Sequence, residues 1–246
     1  MNRDPRTVMV VDGNTSMLFY LGMLLKRLEY HVSTSRSAEE ALRMMEETVP
    51  SLVLTDIALP RMSGINLLKR IKDTPKLTTV PVILITAESD PGMKDTCLRA
   101  GCAAYLGKPV EPGALYRAIQ SATESLPREN IRLSTSLKVL VGDGTTLGGG
   151  ARTEYATAIS EGGLYVRTLY PLPRNTLAPI SIFMGDHEIR AKAVVLYTFS
   201  VGAGPFLEPG MGLKFVEIGE GDRKVIQDFI KEQLTSDLTP APDLNP

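Results

Sequence analysis

Tryptophan is absent from this chain of 246 residues, and cysteine and histidine occur only twice each. Cys97 and Cys102 are too few for a disulfide framework. With His31 and His187 they make neither a CxxC nor any cluster of zinc spacing, so all four read as packing or surface residues. No apolar run approaches the ~18 residues of a membrane span. The first residues lead into a short strand and not into a signal-peptide core, so a soluble, cytoplasmic protein is expected. A basic excess is lacking too. Residues 1–126 carry 15 Lys and Arg against 14 Asp and Glu, a net +1; residues 127–246 carry 12 against 14, a net −2. That balance, with no basic recognition helix, disfavours DNA binding. No nucleophile, base and orienting group can be assembled into a set, which argues against a turnover enzyme.

What is present is 43% hydrophobic residues, ample for a core, arranged differently in the two halves. In the first half, short apolar runs alternate with helical spacing. Strands are predicted at Thr7–Val11, His31–Ser35, Leu52–Thr55, Pro81–Ile85 and Ala103–Leu106. Asn14 or Thr15 can cap the first helix, and Ser37 with Glu40 forms a capping box for the second. Five strands alternating with five helices call for a parallel sheet covered on both faces. The strand ends then place Asp12, Asp56, Thr86 and Lys108 on one rim. Two carboxylates, a hydroxyl and an amine suit phosphoryl chemistry at a carboxylate: magnesium needs one or two carboxylates, and lysine adds a point charge.

These residues resemble the response-regulator receiver family over roughly 6–124. The resemblance rests on Val10-Val11-Asp12, on Asp56 with Pro60-x-Met62-x-Gly64, on Pro81 to Ala87, and on Ala104-Tyr105-Leu106-Gly107-Lys108-Pro109. It implies a flavodoxin-like sheet of order 2-1-3-4-5. It implies Asp56 as phospho-acceptor from a sensor histidine kinase, Thr86 and Lys108 as phosphoryl contacts, and Tyr105 as an aromatic switch. It also implies a magnesium site at Asp12, Asp56 and Ala58, and a homodimer through the receiver face around Arg99 and Tyr105. One position departs: the family has two adjacent acids after the first strand, and here they are Asp12-Gly13. The pocket loses one carboxylate, so magnesium is expected to bind more weakly.

After Pro127 the pattern changes to short alternating runs separated by Gly-rich turns, the mark of an antiparallel sandwich or barrel. A closing helix is predicted from about Asp222 to Leu234. Arg128-x-x-x-Arg132 offers two guanidiniums that can fork onto phosphate or guanine. Together with Ser160-x-x-Gly163-Leu164-Tyr165-Val166, Pro171 to Pro173, Gly210 to Phe215 and the final helix, it resembles the PilZ domain, a six-stranded barrel that binds cyclic di-GMP. The ligand residues implied are Arg128, Arg132, Ser160 and Gly163. Here too one position departs: Ala158 stands where the family has Asp or Asn. Losing that acceptor is expected to cost ~1–3 kcal/mol. Strand alternation puts Thr157 on the other face, where it cannot substitute.

The expected organisation is a receiver at 1–124, a linker at 125–131, a PilZ barrel at 132–235 and a disordered tail at 236–246. The expected function is a two-component response regulator whose output domain binds cyclic di-GMP and acts through protein contacts. The alternative is a degenerate receiver–PilZ scaffold that works by protein interaction without one or both ligands.

Overall fold

The computed structural model describes residues 7–87, 91–142, 150–203 and 208–238. The predicted tail beyond residue 238 lies outside the described residues, as do residues 143–149 and 204–207 among the Gly-rich turns of the second half. The chain divides into two units, one built on Asn2–Glu129 and one on Asn130–Glu232.

The first unit carries β1 (Thr7–Val11), α1 (Thr15–Arg27), β2 (His31–Ser35), α2 (Ala38–Glu47) and β3 (Leu52–Asp56). It continues with α3 (Gly64–Asp73), β4 (Val82–Thr86), α4 (Pro91–Arg99), β5 (Ala104–Gly107) and α5 (Pro112–Thr123). The strands are parallel in the order β2-β1-β3-β4-β5. Every residue of β3 and β4 is buried, because helices cover both faces and neither face can be polar. Val53, Val82 and Leu84 meet Met45, Leu67, Leu68 and Ile71 from α2 and α3. Leu54, Ile83 and Ile85 alternate to the opposite face.

Local chemistry sets the helix ends. Asn14 caps α1, its side chain accepting from the amides of Ser16 and Met17. Ser37 caps α2 by accepting from the Glu40 amide at 3.2 Å. The capping box is not closed as expected. The Glu40 carboxylate accepts from Ser35 Oγ and the Arg36 amide, both at 2.9 Å, and the Ser37 amide donates to Ser35 Oγ. Ser35 ends β2 just before the cap, so its hydroxyl intercepts both groups. At the end of α4 the Cys102 amide donates to the Cys97 carbonyl, with Gly101 at φ +91 between them. This six-to-one closure brings residues at its two ends into apolar contact, and both cysteines are buried there.

The second unit has β6 (Leu133–Val141), β7 (Arg152–Ser160), β8 (Gly163–Arg167), β9 (Leu177–Met184), β10 (His187–Phe199) and β11 (Gly210–Ile218). They close into a barrel in the order β10-β11-β8-β7-β6-β9. Each neighbouring pair is antiparallel. The short alternating runs expected after Pro127 are strands, and the Gly-rich turns between them separate antiparallel neighbours. Val139, Ala156, Val166, Ile182, Val195 and Met211 are fully buried and fill the interior. α6 (Glu220–Thr235) follows and buries Ile226 and Ile230. Bulges interrupt β6 between Ser134 and Leu137, and β7 at Thr157.

Candidate functional site

The receiver rim is built by three strand ends. β1 delivers Asp12 and β3 delivers Asp56, on neighbouring strands; both side chains are buried. Lys108 follows β5, and its ammonium bridges them, 2.9 Å from Asp12 Oδ2 and 2.6 Å from Asp56 Oδ2. The backbone fixes the remaining carboxylate oxygens. Asp12 Oδ1 accepts from the Asn14 amide at 2.8 Å, and Asp56 Oδ1 from the Ala58 amide at 3.0 Å. Each carboxylate therefore keeps one oxygen on the chain and one on the lysine.

Electrostatics follow from this burial. Burial raises the Asp12 carboxyl above its ordinary range, more than the Asn14 amide and Lys108 lower it. Burial works to depress the Lys108 ammonium, but hydrogen bonds and charge from Asp56 and Asp12 together raise it, so the ammonium stays charged at neutral pH. Thr86 ends β4, buried, and its carbonyl accepts the Lys108 amide at 2.7 Å. Tyr105 lies on β5 opposite Leu84 and packs, half-buried, against the core between the sheet and α2–α4. Lys108–Pro109 is a cis peptide.

The loop after β3 is pinned tightly. The Gly64 amide donates to the Ile57 carbonyl. A Cβ at Gly64 would collide with the Asp56 carbonyl, so glycine is required by close approach. Gly13 is different: a Cβ there would sit 3.4 Å from the Pro60 ring, an ordinary contact. Nothing steric demands glycine where the family has a second acid. Among the described residues no group of three or more His, Cys, Asp or Glu could hold a metal. Asp12 and Asp56 nonetheless fit a magnesium ion that takes its other ligands from backbone, water and phosphate.

In the second unit, β7 and β8 form a tight hairpin around Ser160 and Gly163. Ser160 Oγ donates to the Gly163 carbonyl at 3.0 Å. A Cβ at Gly163 would collide with the Leu213 carbonyl of β11, so the strand pair closes only on glycine. Ala158 is buried and pairs with Ser134 on one side and Tyr165 on the other. The bulge at Thr157 corrects the simple alternation expected there. Ala156 and Ala158 flank a residue with no partner on β8, and Thr157 Oγ1 is buried with no hydrogen-bond partner among the described residues. Arg132 is exposed just ahead of β6. Arg128 belongs to the first unit, where its amide donates to Gln120 Oε1.

Two features went unseen in the sequence. Ser134 is an exposed hydroxyl directly across from Ala158. Tyr165, Tyr197 and Phe199 form a ring cluster with centroids 5.2–6.4 Å apart, anchored by Tyr165 OH donating to the Glu208 carbonyl. The spacing of Tyr197 and Phe199, two apart in β10, hinted at the second; only cross-strand register reveals the first.

A family model of the response regulator receiver domain matches residues 8–120, and one of the PilZ domain matches residues 126–232. The polar-differentiation response regulator DivK of Brucella anthropi is 33% identical over 117 residues, covering 48% of this chain and 95% of that protein. DivK of Brucella ovis is 34% identical over 116 residues, covering 47% and 94%. A solved response regulator receiver domain protein from Clostridium thermocellum is 29% identical, with a TM-score of 0.45 over 48% of this chain and 93% of its own. The chain belongs to the response regulators, with a receiver domain at residues 8–120 and a PilZ domain at residues 126–232.

Proposed function

We propose that the receiver accepts a phosphoryl group on Asp56 from a sensor histidine kinase, and that the PilZ barrel binds cyclic di-GMP and passes the state on through protein contacts. The observation that carries the first part is the Asp12–Lys108–Asp56 bridge. Asp56 Oδ2 attacks the phosphorus of a phosphohistidine, the P–N bond breaks, and an acyl phosphate forms while the imidazole leaves. Lys108 holds that oxygen in place and offers its charge to the incoming phosphoryl oxygens. The Ala58 amide keeps the other carboxylate oxygen fixed. Magnesium at Asp12, Asp56 and Ala58 would supply further neutralisation of the transferring group. The new phosphoryl group carries ~1.5–2 negative charges in place of the single charge of the Asp56 carboxylate, beside Thr86, whose hydroxyl is the donor at the end of the neighbouring strand.

For the barrel's ligand, Arg128 and Arg132, both ahead of β6 in the chain, supply the guanidiniums for phosphate and guanine. Ser160 and Gly163 shape the hairpin against which the ligand rests. The protein is read as cytoplasmic, with no substrate turned over.

Two measurements test the parts separately. Acetyl phosphate or beryllofluoride with millimolar magnesium should add to the wild type and not to Asp56→Asn; equal behaviour of the two would remove the phosphorylation claim. Calorimetric titration with cyclic di-GMP should show binding that Arg128→Ala and Arg132→Ala abolish. A flat titration, or one the arginine variants leave unchanged, favours the scaffold reading, which Gly13 and Ala158 already suggest.

A further inference from the structure

We propose that Ser134 supplies the base-reading acceptor that Ala158 cannot, a substitution made across the strand pair. This rests on the reading of the barrel as a cyclic di-GMP site.

The argument starts from register. Ser134 of β6 is the partner of Ala158 in β7, and Ala158 is the partner of Tyr165 in β8. Directly paired residues share a face of the sheet, their Cβ atoms about 4.5–5.5 Å apart. Val166 and Ala156 point into the barrel with Met211, so Tyr165, Ala158 and Ser134 lie on the outer face. Ser160, two residues beyond Ala158, shares it, and Arg132 stands two residues before Ser134.

The candidate acceptors on that face are few. The Ser160 hydroxyl keeps its lone pairs, but donating to the Gly163 carbonyl holds it at the hairpin, two residues along the strand from Ala158. Ala158 offers no polar atom. The Thr157 hydroxyl is buried. The Ser134 hydroxyl is exposed and makes no hydrogen bond among the described residues. It is therefore free to accept from a purine edge held over Ala158. The bulge in β6 just after Ser134 marks where this strand departs from regular pairing, and bulges commonly re-aim a side chain at a site.

Where a carboxylate accepts from guanine's imino and amino groups with two oxygens, the single Ser134 oxygen accepts from the exocyclic amine alone. The group it distinguishes is the exocyclic amine. Cyclic di-IMP, which lacks that amine, is the probe that isolates it.

The experiment is calorimetric titration of the full chain with cyclic di-GMP and with cyclic di-IMP, for wild type, Ser134→Ala, Ala158→Asp and the double variant. Ser134→Ala should weaken cyclic di-GMP binding about 3- to 10-fold, the range of one net hydrogen bond. It should leave cyclic di-IMP binding nearly unchanged. In the Ala158→Asp background the serine loses its role, and the same substitution should have little effect. If the wild type binds cyclic di-GMP and Ser134→Ala binds both nucleotides as the wild type does, the serine proposal is overturned while the ligand reading stands. Equal weakening toward both nucleotides in both backgrounds marks a structural effect and overturns it as well. If the wild type binds neither nucleotide, both fall together.

Discussion

Two glycines in the receiver rim carry opposite constraints. Gly64 has no room for a side chain, because the Asp56 carbonyl occupies the place of a Cβ. Gly64→Ala must push the loop off β3, at a cost of about 1–3 kcal/mol. Urea unfolding should show the loss, and beryllofluoride binding at Asp56 should weaken with it. Gly13 has ordinary space around it. Gly13→Asp should leave the urea midpoint within error and restore a third carboxylate beside Asp12 and Asp56. Magnesium affinity, read by calorimetry, should then rise several-fold; an unchanged affinity would show that Lys108, held by both existing carboxylates, and not charge deficit, limits the metal. The rim residues Asp12, Asp56, Thr86 and Lys108 were legible in the sequence because each ends a strand whose apolar run is unmistakable. The bridge between them was not, since nothing in the chain order says that one ammonium reaches both acids.

At the scale of elements, the parallel half was legible almost throughout and the barrel less so. β3 and β4 are continuous apolar runs because both faces are covered, and no register choice alters that. In the barrel, a bulge changes which residues meet, so the pair Ser134–Ala158 could not be read from spacing. The cap of α2 shows the same limit on a smaller scale. Ser37 and Glu40 signalled a helix start, but the Glu40 carboxylate turned to Ser35 and Arg36. Ser37→Ala should cost about 1 kcal/mol by thermal or urea unfolding. Glu40 has its carboxyl lowered by the Arg36 amide first and by Ser35 next. A lowered acid stabilises the fold above its unfolded pKa, and that gain is lost as pH falls through the folded value. The stability gap between wild type and Glu40→Gln should therefore be full at pH 6–7 and shrink below the ordinary carboxylate range near 4.5. A gap that is constant down to pH 3 would refute the carboxylate's role. The turn after α4 makes a third case. Burial pushes the Cys102 thiol up to about 11, helped by Cys97, and Cys97 is raised by burial as well. Both should resist thiol reagents at pH 7.5 in the native protein and react at once in guanidinium.

At the scale of the whole molecule, charge narrows the output. A chain of net charge −1, with a second half at −2, has little to offer a phosphate backbone, which favours the proposed output through protein contacts. Two sites on one chain make a two-input device only if occupying one alters the other, and that coupling obeys a thermodynamic identity. If beryllofluoride at Asp56 changes cyclic di-GMP affinity by a factor, saturating cyclic di-GMP must change beryllofluoride affinity by the same factor. Coupling of the usual strength lies at about 5- to 150-fold. Both titrations can be run on the full chain, cyclic di-GMP with and without beryllofluoride and the converse, with Asp56→Asn as the uncoupled control. Equal, non-unit factors that vanish in Asp56→Asn are the expected result. Factors of one in both directions would leave two working sites that do not communicate. The chain would then join two independent sensors, and its effect on a partner would depend on the partner reading both surfaces at once.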